Sequence, residues 1–114
     1  MSPANSTDAT IEKDQSKIDP LADRVYERAA EFFSLLSTPT RLRILCALCA
    51  EELNVGQLLS RIDVSPPNIS QHLGTLYRAG VIGRRREGSQ MFYRIVSAQA
   101  AMLCQSICSE RGGG

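Results

Sequence analysis

The chain has 114 residues, of which 43% are hydrophobic and 22% are charged, and its mean hydropathy is −0.14. This length suffices for one domain and is too short for two of typical size, which have ~100–150 residues each. No stretch approaches the ~18–20 consecutive apolar residues of a membrane-spanning helix, and the first residues lack the basic and apolar segments of a secretory signal. We therefore predict a cytoplasmic protein of one domain with no membrane partner.

Basic residues are concentrated in one third of the chain. The formal net charge is only +1, yet the segment from Arg61 to Arg94 contains six basic and two acidic residues and carries +4. The rest of the chain carries −3. Such a local excess is typical of a surface that binds a polyanion such as nucleic acid, and also of a solvated basic face. The charge pattern alone leaves both interpretations open.

The two ends of the chain differ in composition from its middle. Residues 1–18 are rich in Ser, Thr, Asp and Lys and contain almost no large apolar side chain, which predicts a disordered N-terminal tail. The final three glycines predict a flexible C-terminal tail over residues 110–114. A single folded domain is therefore predicted for residues 19–109.

Helix-start signals divide the first half of this domain into three helices. Asp19-Pro20 and Thr38-Pro39 each place an N-capping side chain before a proline at the first helical position. They predict a helix 1 that ends at about residue 37 and a mostly apolar helix 2 after it. Asn54 is the predicted cap of a short helix 3 that ends at about Arg61.

The second half combines a helix, a hairpin and a last helix. Ser65, which precedes a proline, is predicted to begin helix 4, and Gly80 is suited to the position just after its end. Two short extended runs, 81–86 and 91–95, predict a β-hairpin with residues 87–90 at its tip. Ser97 is predicted to cap the last helix, which ends at about residue 109.

Two helices joined by a tight turn and followed by a hairpin are the features of a winged helix-turn-helix. The predicted fold is therefore α+β and mostly α, with five helices and a β-hairpin wing. Helix 4 has a buried stripe formed by Ile69, Leu73 and Leu76, and polar side chains on its outer face could reach base edges. Arginines of the hairpin could neutralise backbone phosphates. The candidate DNA-binding residues are Ser65, Asn68, Ser70, Gln71, His72, Thr75, Arg78, Arg84, Arg85 and Arg86.

Four ordered motifs occur between residues 20 and 108. They are LSTPTRLRILC at Leu36–Cys46, ELNVGQL at Glu52–Leu58, SQHL at Ser70–Leu73, and AGVIGRRREG at Ala79–Gly88, with Tyr93 after them. This combination resembles the ArsR/SmtB family of dimeric winged-helix repressors. The resemblance implies a homodimer formed through the first and last helices, with double-stranded operator DNA as its partner. It also implies that Ser70, Gln71 and His72 recognise DNA, and that an inducer lowers operator affinity.

The four cysteines are expected to be thiols in a reducing compartment. Cys46 and Cys49 have the spacing of a thioredoxin motif, but no βαβ pattern surrounds them, so we predict no enzyme activity and no cofactor. Free cysteines are also common as small buried apolar residues, and Cys49 is expected to be one of these.

The position of Cys46 resembles one subgroup of the same family. The run Ile44-Leu45-Cys46, together with a cysteine near the end of the last helix, is similar to the persulfide-sensing repressors that include SqrR and BigR. The resemblance implies a dithiol sensor in which reactive sulfur species bridge Cys46 to Cys108 and release the protein from DNA. Cys104 is the rival partner of Cys46, and sulfide- or sulfur-oxidation genes are the implied targets.

Two alternatives remain open at this point. A soft metal or metalloid ion could be the inducer, bound by thiolates from Cys46, Cys49, Cys104 and Cys108. A winged helix could also act as a protein-interaction module that does not bind DNA, and its polar helix face would then contact only solvent or protein.

Overall fold

The computed structural model describes residues 20–112, so the predicted tail over residues 1–18 lies outside the described residues. The chain divides into two compact units, one that ends at Ser34 and one that begins at Leu35. Helix α1, Pro20–Leu35, makes up the described part of the first unit. Its Phe32 and Phe33 rings meet edge to face with centroids 6.0 Å apart. Several of its large apolar side chains are exposed: Leu21, Val25, Tyr26 and Phe33.

The second unit contains four helices and three strands. They are α2 Pro39–Ala50, β1 Leu53–Asn54, α3 Val55–Arg61, α4 Pro66–Arg78, β2 Ile82–Glu87, β3 Gln90–Ile95 and α5 Ala98–Gly112. Residues 20–112 thus have five helices and a hairpin, and the predicted fold class is confirmed. Within these residues no single helix is long and apolar enough to cross a membrane. Only Leu21–Leu35 and Pro39–Ala50 taken together, with the break between them, reach the required length and composition.

The predicted helix-start signals act as capping residues. The Thr38 side chain accepts a hydrogen bond from the backbone nitrogen of Arg41 at 3.1 Å. The Ser65 side chain accepts one from the backbone nitrogen of Asn68 at 3.3 Å. Asn54 forms a reciprocal capping box with the residue three positions later. Each cap satisfies a backbone N–H that the first helical turn leaves without a partner.

Three predicted boundaries differ from the structure. Helix α1 ends at Leu35 rather than at residue 37, before the Thr38 cap of the next helix. Helix α5 continues to Gly112, past the predicted end at residue 109, because Glu110 and Arg111 are good helix formers. Three of the five residues of the predicted C-terminal tail, 110–112, are therefore helical, and residues 113–114 lie outside the described residues.

The hairpin is tighter than predicted and has a third strand beside it. Its strands extend to Glu87 and Gln90, which leaves a two-residue turn in which Gly88 has a φ of 64°. A positive φ at this position is what a two-residue hairpin turn requires. The strand order is β1-β3-β2, all antiparallel, with Leu53 of β1 opposite Tyr93 of β3. This strand of only two residues joins the segment between α2 and α3 to the wing.

One apolar core holds the helices of the second unit against the sheet. The largest fully buried side chains are Ile44, Leu45, Leu53, Leu58, Ile69, Leu73, Leu76, Ile82 and Cys104. Burial of a large aliphatic side chain contributes ~1.5–3 kcal/mol. The predicted stripe of α4 is fully buried, so this helix is fixed to the core by one face and leaves the opposite face free.

Candidate DNA interface and thiol cluster

The outer face of α4 carries three polar side chains that are open to solvent. Asn68, Ser70 and Gln71 are all exposed, and they lie in the first two turns of the helix. Ser65 is exposed as well, but its hydroxyl oxygen is used to cap the helix. The amide and hydroxyl groups of this face can donate and accept hydrogen bonds with base edges and phosphates.

His72 is held in one orientation by a residue of α2. Arg41 donates through Nε to His72 Nδ1 at 3.2 Å and through Nη1 to the Leu35 carbonyl oxygen at 2.7 Å. A guanidinium can only donate, so Nδ1 of His72 is the acceptor of this hydrogen bond. His72 is half-buried, so only part of the ring reaches the surface. No local sequence pattern predicts this contact, because its partners are 31 positions apart.

Two side chains in the second half of α4 that are predicted to contact DNA already contact other groups of the same helix. The Thr75 hydroxyl donates to the Gln71 carbonyl oxygen at 3.1 Å, one turn back along the helix. The Arg78 side chain folds over Gly74, where a Cβ atom would lie 3.1 Å from its Nη1 atom. Arg78 is exposed and can swing outward, whereas Thr75 is only half-exposed.

The wing arginines differ in what they contact. Arg84 stacks on the Tyr77 ring with its Cζ atom 4.0 Å from the centroid. Arg85 forms ion pairs of 2.8 Å with both Glu52 and Glu87. The guanidinium of Arg86 is exposed and has no hydrogen bond or ion pair with any group in residues 20–112.

The ion pairs of Arg85 change its own pKa and that of Glu52. The hydrogen bond from Arg85 holds the pKa of the Glu52 carboxyl below its usual value, and the two carboxylates in turn raise the pKa of Arg85. Arg94 adds a longer contact of 3.8 Å to Glu52. Within residues 20–112 Arg85 is therefore engaged by two carboxylates, whereas Arg84 and Arg86 form no ion pair, and a phosphate contact by Arg85 stays a prediction.

The thiols meet where α2 packs against α5. Cys104 of α5 is buried, with 1% of its surface exposed, and it is hydrogen-bonded to Cys46 of α2. Burial is the main reason why the pKa of Cys104 is raised to about 12, and interactions with the other three cysteines add smaller contributions. Cys104 is therefore protonated at neutral pH. Cys46, Cys49 and Cys108 are half-buried.

The two thiols of α2 open into different grooves. Cys46 lines a groove of about 580 Å³ together with Ile107, and Cys49 lines another of about 420 Å³ together with Ala101 and Gln105. Cys46 and Cys49 therefore lie on opposite sides of the contact with α5. Within residues 20–112 no group of three or more His, Cys, Asp or Glu side chains is arranged to hold a metal ion. The four-thiolate site considered from the sequence is thus not formed in this structure.

These features define a class of protein. A helix-turn-helix whose second helix exposes a polar face, followed by a hairpin with unpaired arginines, is a winged helix-turn-helix of the DNA-binding type. The profile described as bacterial regulatory protein, arsR family, matches residues 38–83.

Comparison with individual proteins supports the same class. The chain is 40% identical over 84 residues to the biofilm growth-associated repressor of Agrobacterium fabrum, covering 71% of this chain and 72% of that protein. The crystal structure of the transcriptional repressor BigR from Xylella fastidiosa superposes with a TM-score of 0.68 at 35% identity, over 80% of this chain and 89% of that one. Reduced HlyU from Vibrio cholerae gives a TM-score of 0.74 at 28% identity, over 85% and 100%.

The chain therefore belongs to the ArsR family of bacterial regulatory proteins. It is a DNA-binding transcriptional regulator, and the resemblance seen in the four sequence motifs is confirmed. The family consists of regulators and not of enzymes, as expected from the sequence. The alternative of an interaction module that does not bind DNA is not supported by these relatives.

Proposed function

We propose that the protein is a transcriptional repressor that binds double-stranded operator DNA through α4. The observation that carries this proposal is the division of α4 into two faces. Ile69, Leu73 and Leu76 are buried, while Asn68 and Gln71 project from the opposite face. A recognition helix anchored in this way can enter the major groove with its first turns towards the bases. The repressors among its relatives, from Agrobacterium and Xylella, support the direction of regulation.

We propose further that the protein binds DNA as a symmetric homodimer. Helix α1 exposes Leu21, Val25, Tyr26 and Phe33, and α5 exposes Met102 with 70% of its surface accessible. Side chains of this size are rarely left in water without a partner when several lie close along one helix. A two-fold dimer would place two recognition helices on half-sites about one DNA turn, or ~34–36 Å, apart.

DNA selection and salt dependence test the binding proposal. Operator sequences selected from a random library should contain an inverted repeat, and affinity should fall steeply with salt as phosphate counterions are released. Gln71→Ala should relax the preferred base at one position in each half-site, whereas Arg86→Ala should weaken all sequences alike. A protein that binds no duplex at ~50 mM salt would refute the proposal.

The inducer we propose is a reactive sulfur species, with sulfide- or sulfur-oxidation genes as the regulated targets. In the first step the Cys46 thiolate attacks the outer sulfur of a persulfide R–S–SH. The S–S bond breaks, and the products are Cys46–S–SH and R–SH, the latter taking a proton. In the second step Cys104 attacks the inner sulfur on Cys46, forms the Cys46–Cys104 disulfide and transfers its proton to the leaving hydrosulfide, which departs as H2S. Two thiols are thereby oxidised and one sulfane sulfur is reduced.

The choice of these two thiols rests on their contact and burial. Cys104 is protonated and enclosed, so the half-buried Cys46 is the thiol that meets the reagent first. The hydrogen bond between them supports Cys104 as the thiol that resolves the persulfide. Cys108, one turn further along α5 and half-buried, is the alternative partner that the sequence favoured. A longer bridge that retains extra sulfur atoms would use the same pair.

Mass mapping of the bridge tests this assignment. Protein treated with polysulfide should yield a peptide pair joined through Cys46 and Cys104, and should leave its operator. Cys46→Ser and Cys104→Ser should both abolish release, with circular dichroism to show that each variant is folded. Cys49→Ser is the matched control, from the same helix, and should respond as the wild type does. If the bridge instead joins Cys46 to Cys108, and Cys108→Ser abolishes it while Cys104→Ser does not, then Cys108 is the resolving thiol.

A further inference from the structure

The groove beside Cys46 has features that a small inorganic sulfur species does not require. Its volume of about 580 Å³ lies within the ~300–1,000 Å³ range of sites that hold organic ligands. Its walls combine apolar side chains, including Leu42, Ile62 and Ile107, with two guanidinium groups, those of Arg43 and Arg61. A chain of a few sulfur atoms would fill a small part of this space.

The two arginines of the groove differ in availability. Arg61, at the end of α3, is paired with Glu51 at 3.0 Å, and both side chains are about half exposed. An exposed pair of this kind contributes little and exchanges readily with another carboxylate. Arg43 is exposed, and its guanidinium has no hydrogen bond or ion pair with any group in residues 20–112. Arg43 is therefore the uncompensated cation of the groove.

The spacing along α2 puts this cation near the reacting sulfur. Arg43 precedes Cys46 by three residues, which is slightly less than one helical turn, so both side chains lie on the same side of the helix. Both line the same groove. A guanidinium binds a carboxylate through two parallel hydrogen bonds, which fixes orientation as well as position.

We propose that this groove is a binding site for a small organic persulfide that carries a carboxylate. The proposal rests on the function proposed above. Arg43 would bind the carboxylate, the apolar walls would contact the organic part, and the outer sulfur would then lie at Cys46. The covalent step is unchanged: a bond forms between Cys46 and the outer sulfur, the S–S bond of the reagent breaks, and the organic thiol leaves with one proton.

Reaction rates with three probes test the site in the full-length protein. The probes are glutathione persulfide, the persulfide of N-acetylcysteine amide, which has no carboxylate, and inorganic polysulfide. Mass spectrometry follows modification of Cys46 in the absence of DNA. The wild type is expected to react with glutathione persulfide roughly tenfold faster than with the amide persulfide, within the range that a favourable local charge gives. Arg43→Gln should remove that difference and leave the other two rates within about twofold.

Two further variants complete the design. Arg43→Lys should restore part of the preference, because it keeps the charge but not the two-pronged geometry. Arg94→Gln, which removes an exposed arginine of β3 that does not line this groove, should change none of the rates. If Arg43→Gln slows all three probes equally, Arg43 acts on the thiol itself and the binding site is refuted. If glutathione persulfide reacts equally fast with wild type and Arg43→Gln, the site is also refuted, while the sensor function stands. If no probe modifies the wild type, the sensor function fails and the site fails with it.

Discussion

Arg41 Nε donates to His72 Nδ1 at 3.2 Å and so joins the start of α2 to the outer part of α4. The same helix α2 carries Cys46, five residues further along. A bridge that draws α2 towards α5 therefore acts on a helix that is hydrogen-bonded to the proposed recognition helix. This contact therefore links the helix that carries Cys46, the proposed sensing thiol, to the proposed DNA-binding face.

Removing this connection should weaken both DNA binding and its regulation. We expect Arg41→Ala to lower operator affinity about three- to tenfold, because, of the two hydrogen bonds that it removes, the one to His72 orients α4 and contributes ~0.6–1.4 kcal/mol. The same variant should show a smaller loss of affinity on thiol bridging than the wild type. Fluorescence anisotropy with reduced and bridged protein measures both quantities. An unchanged response in Arg41→Ala would show that the coupling runs elsewhere.

Two adjacent arginines of the wing should differ in their effect on the salt dependence of DNA binding. Arg86 has no partner in the described chain, whereas Arg85 is held by Glu52 and Glu87. We expect Arg86→Ala to reduce the salt dependence of DNA binding by about one phosphate contact, a slope change of ~0.9. Arg85→Ala should leave that slope nearly unchanged. The measurement is log Kd against log salt for both variants, and a larger change for Arg85 would mean that DNA displaces its carboxylates.

Two glycines should respond oppositely to alanine. At Gly74 a Cβ would meet only the far end of the Arg78 side chain, so Gly74→Ala should stabilise α4 by ~0.5–1 kcal/mol. Gly80 has a φ of 78°, which an alanine adopts at a cost of ~1–2 kcal/mol, so Gly80→Ala should destabilise the protein. Urea denaturation gives both values. A destabilised Gly74→Ala would mean that the Arg78 position over Gly74 is required for the fold.

The buried thiol predicts a pH dependence of stability. The pKa of Cys104 is raised from 9.0 to about 12. The protonated thiol therefore makes its full contribution to the free energy of unfolding below pH 9, and this contribution is lost as the pH rises towards 12. The unfolded chain releases this proton first, which favours unfolding in that window. The free energy of unfolding should therefore fall more steeply above pH 9 in the wild type than in Cys104→Val, by up to ~1.4 kcal/mol per pH unit. Equal slopes would show that Cys104 ionises normally in the folded protein.

Local signals in the sequence were sufficient to predict the helices. Thr38, Asn54 and Ser65 are caps whose partners lie three residues away, and Gly80 is required by its own backbone angle. The buried stripe of α4 follows from helical spacing alone. Such interactions depend on near neighbours, so one sequence contains the information needed to predict them.

Contacts between distant segments could not be predicted in the same way. The pairing of Leu53 with Tyr93, the ion pair between Glu52 and Arg85, and the Arg41–His72 hydrogen bond all join residues more than thirty positions apart. Strand β1 has only two residues and no periodicity to mark it. The set of wing arginines was predicted, but which of them is neutralised depends on where the fold places Glu52.

We expect a bridge between α2 and α5 to lower the affinity of the recognition helix for DNA. The dissociation constant for one operator duplex measures this effect when it is determined with fully reduced protein and with protein in which mass spectrometry shows a complete Cys46–Cys104 bridge. We predict at least a tenfold weaker Kd for the bridged protein, corresponding to ~1.4 kcal/mol of coupling, and full recovery on reduction. Equal dissociation constants for the two forms would show that the bridge does not regulate DNA binding.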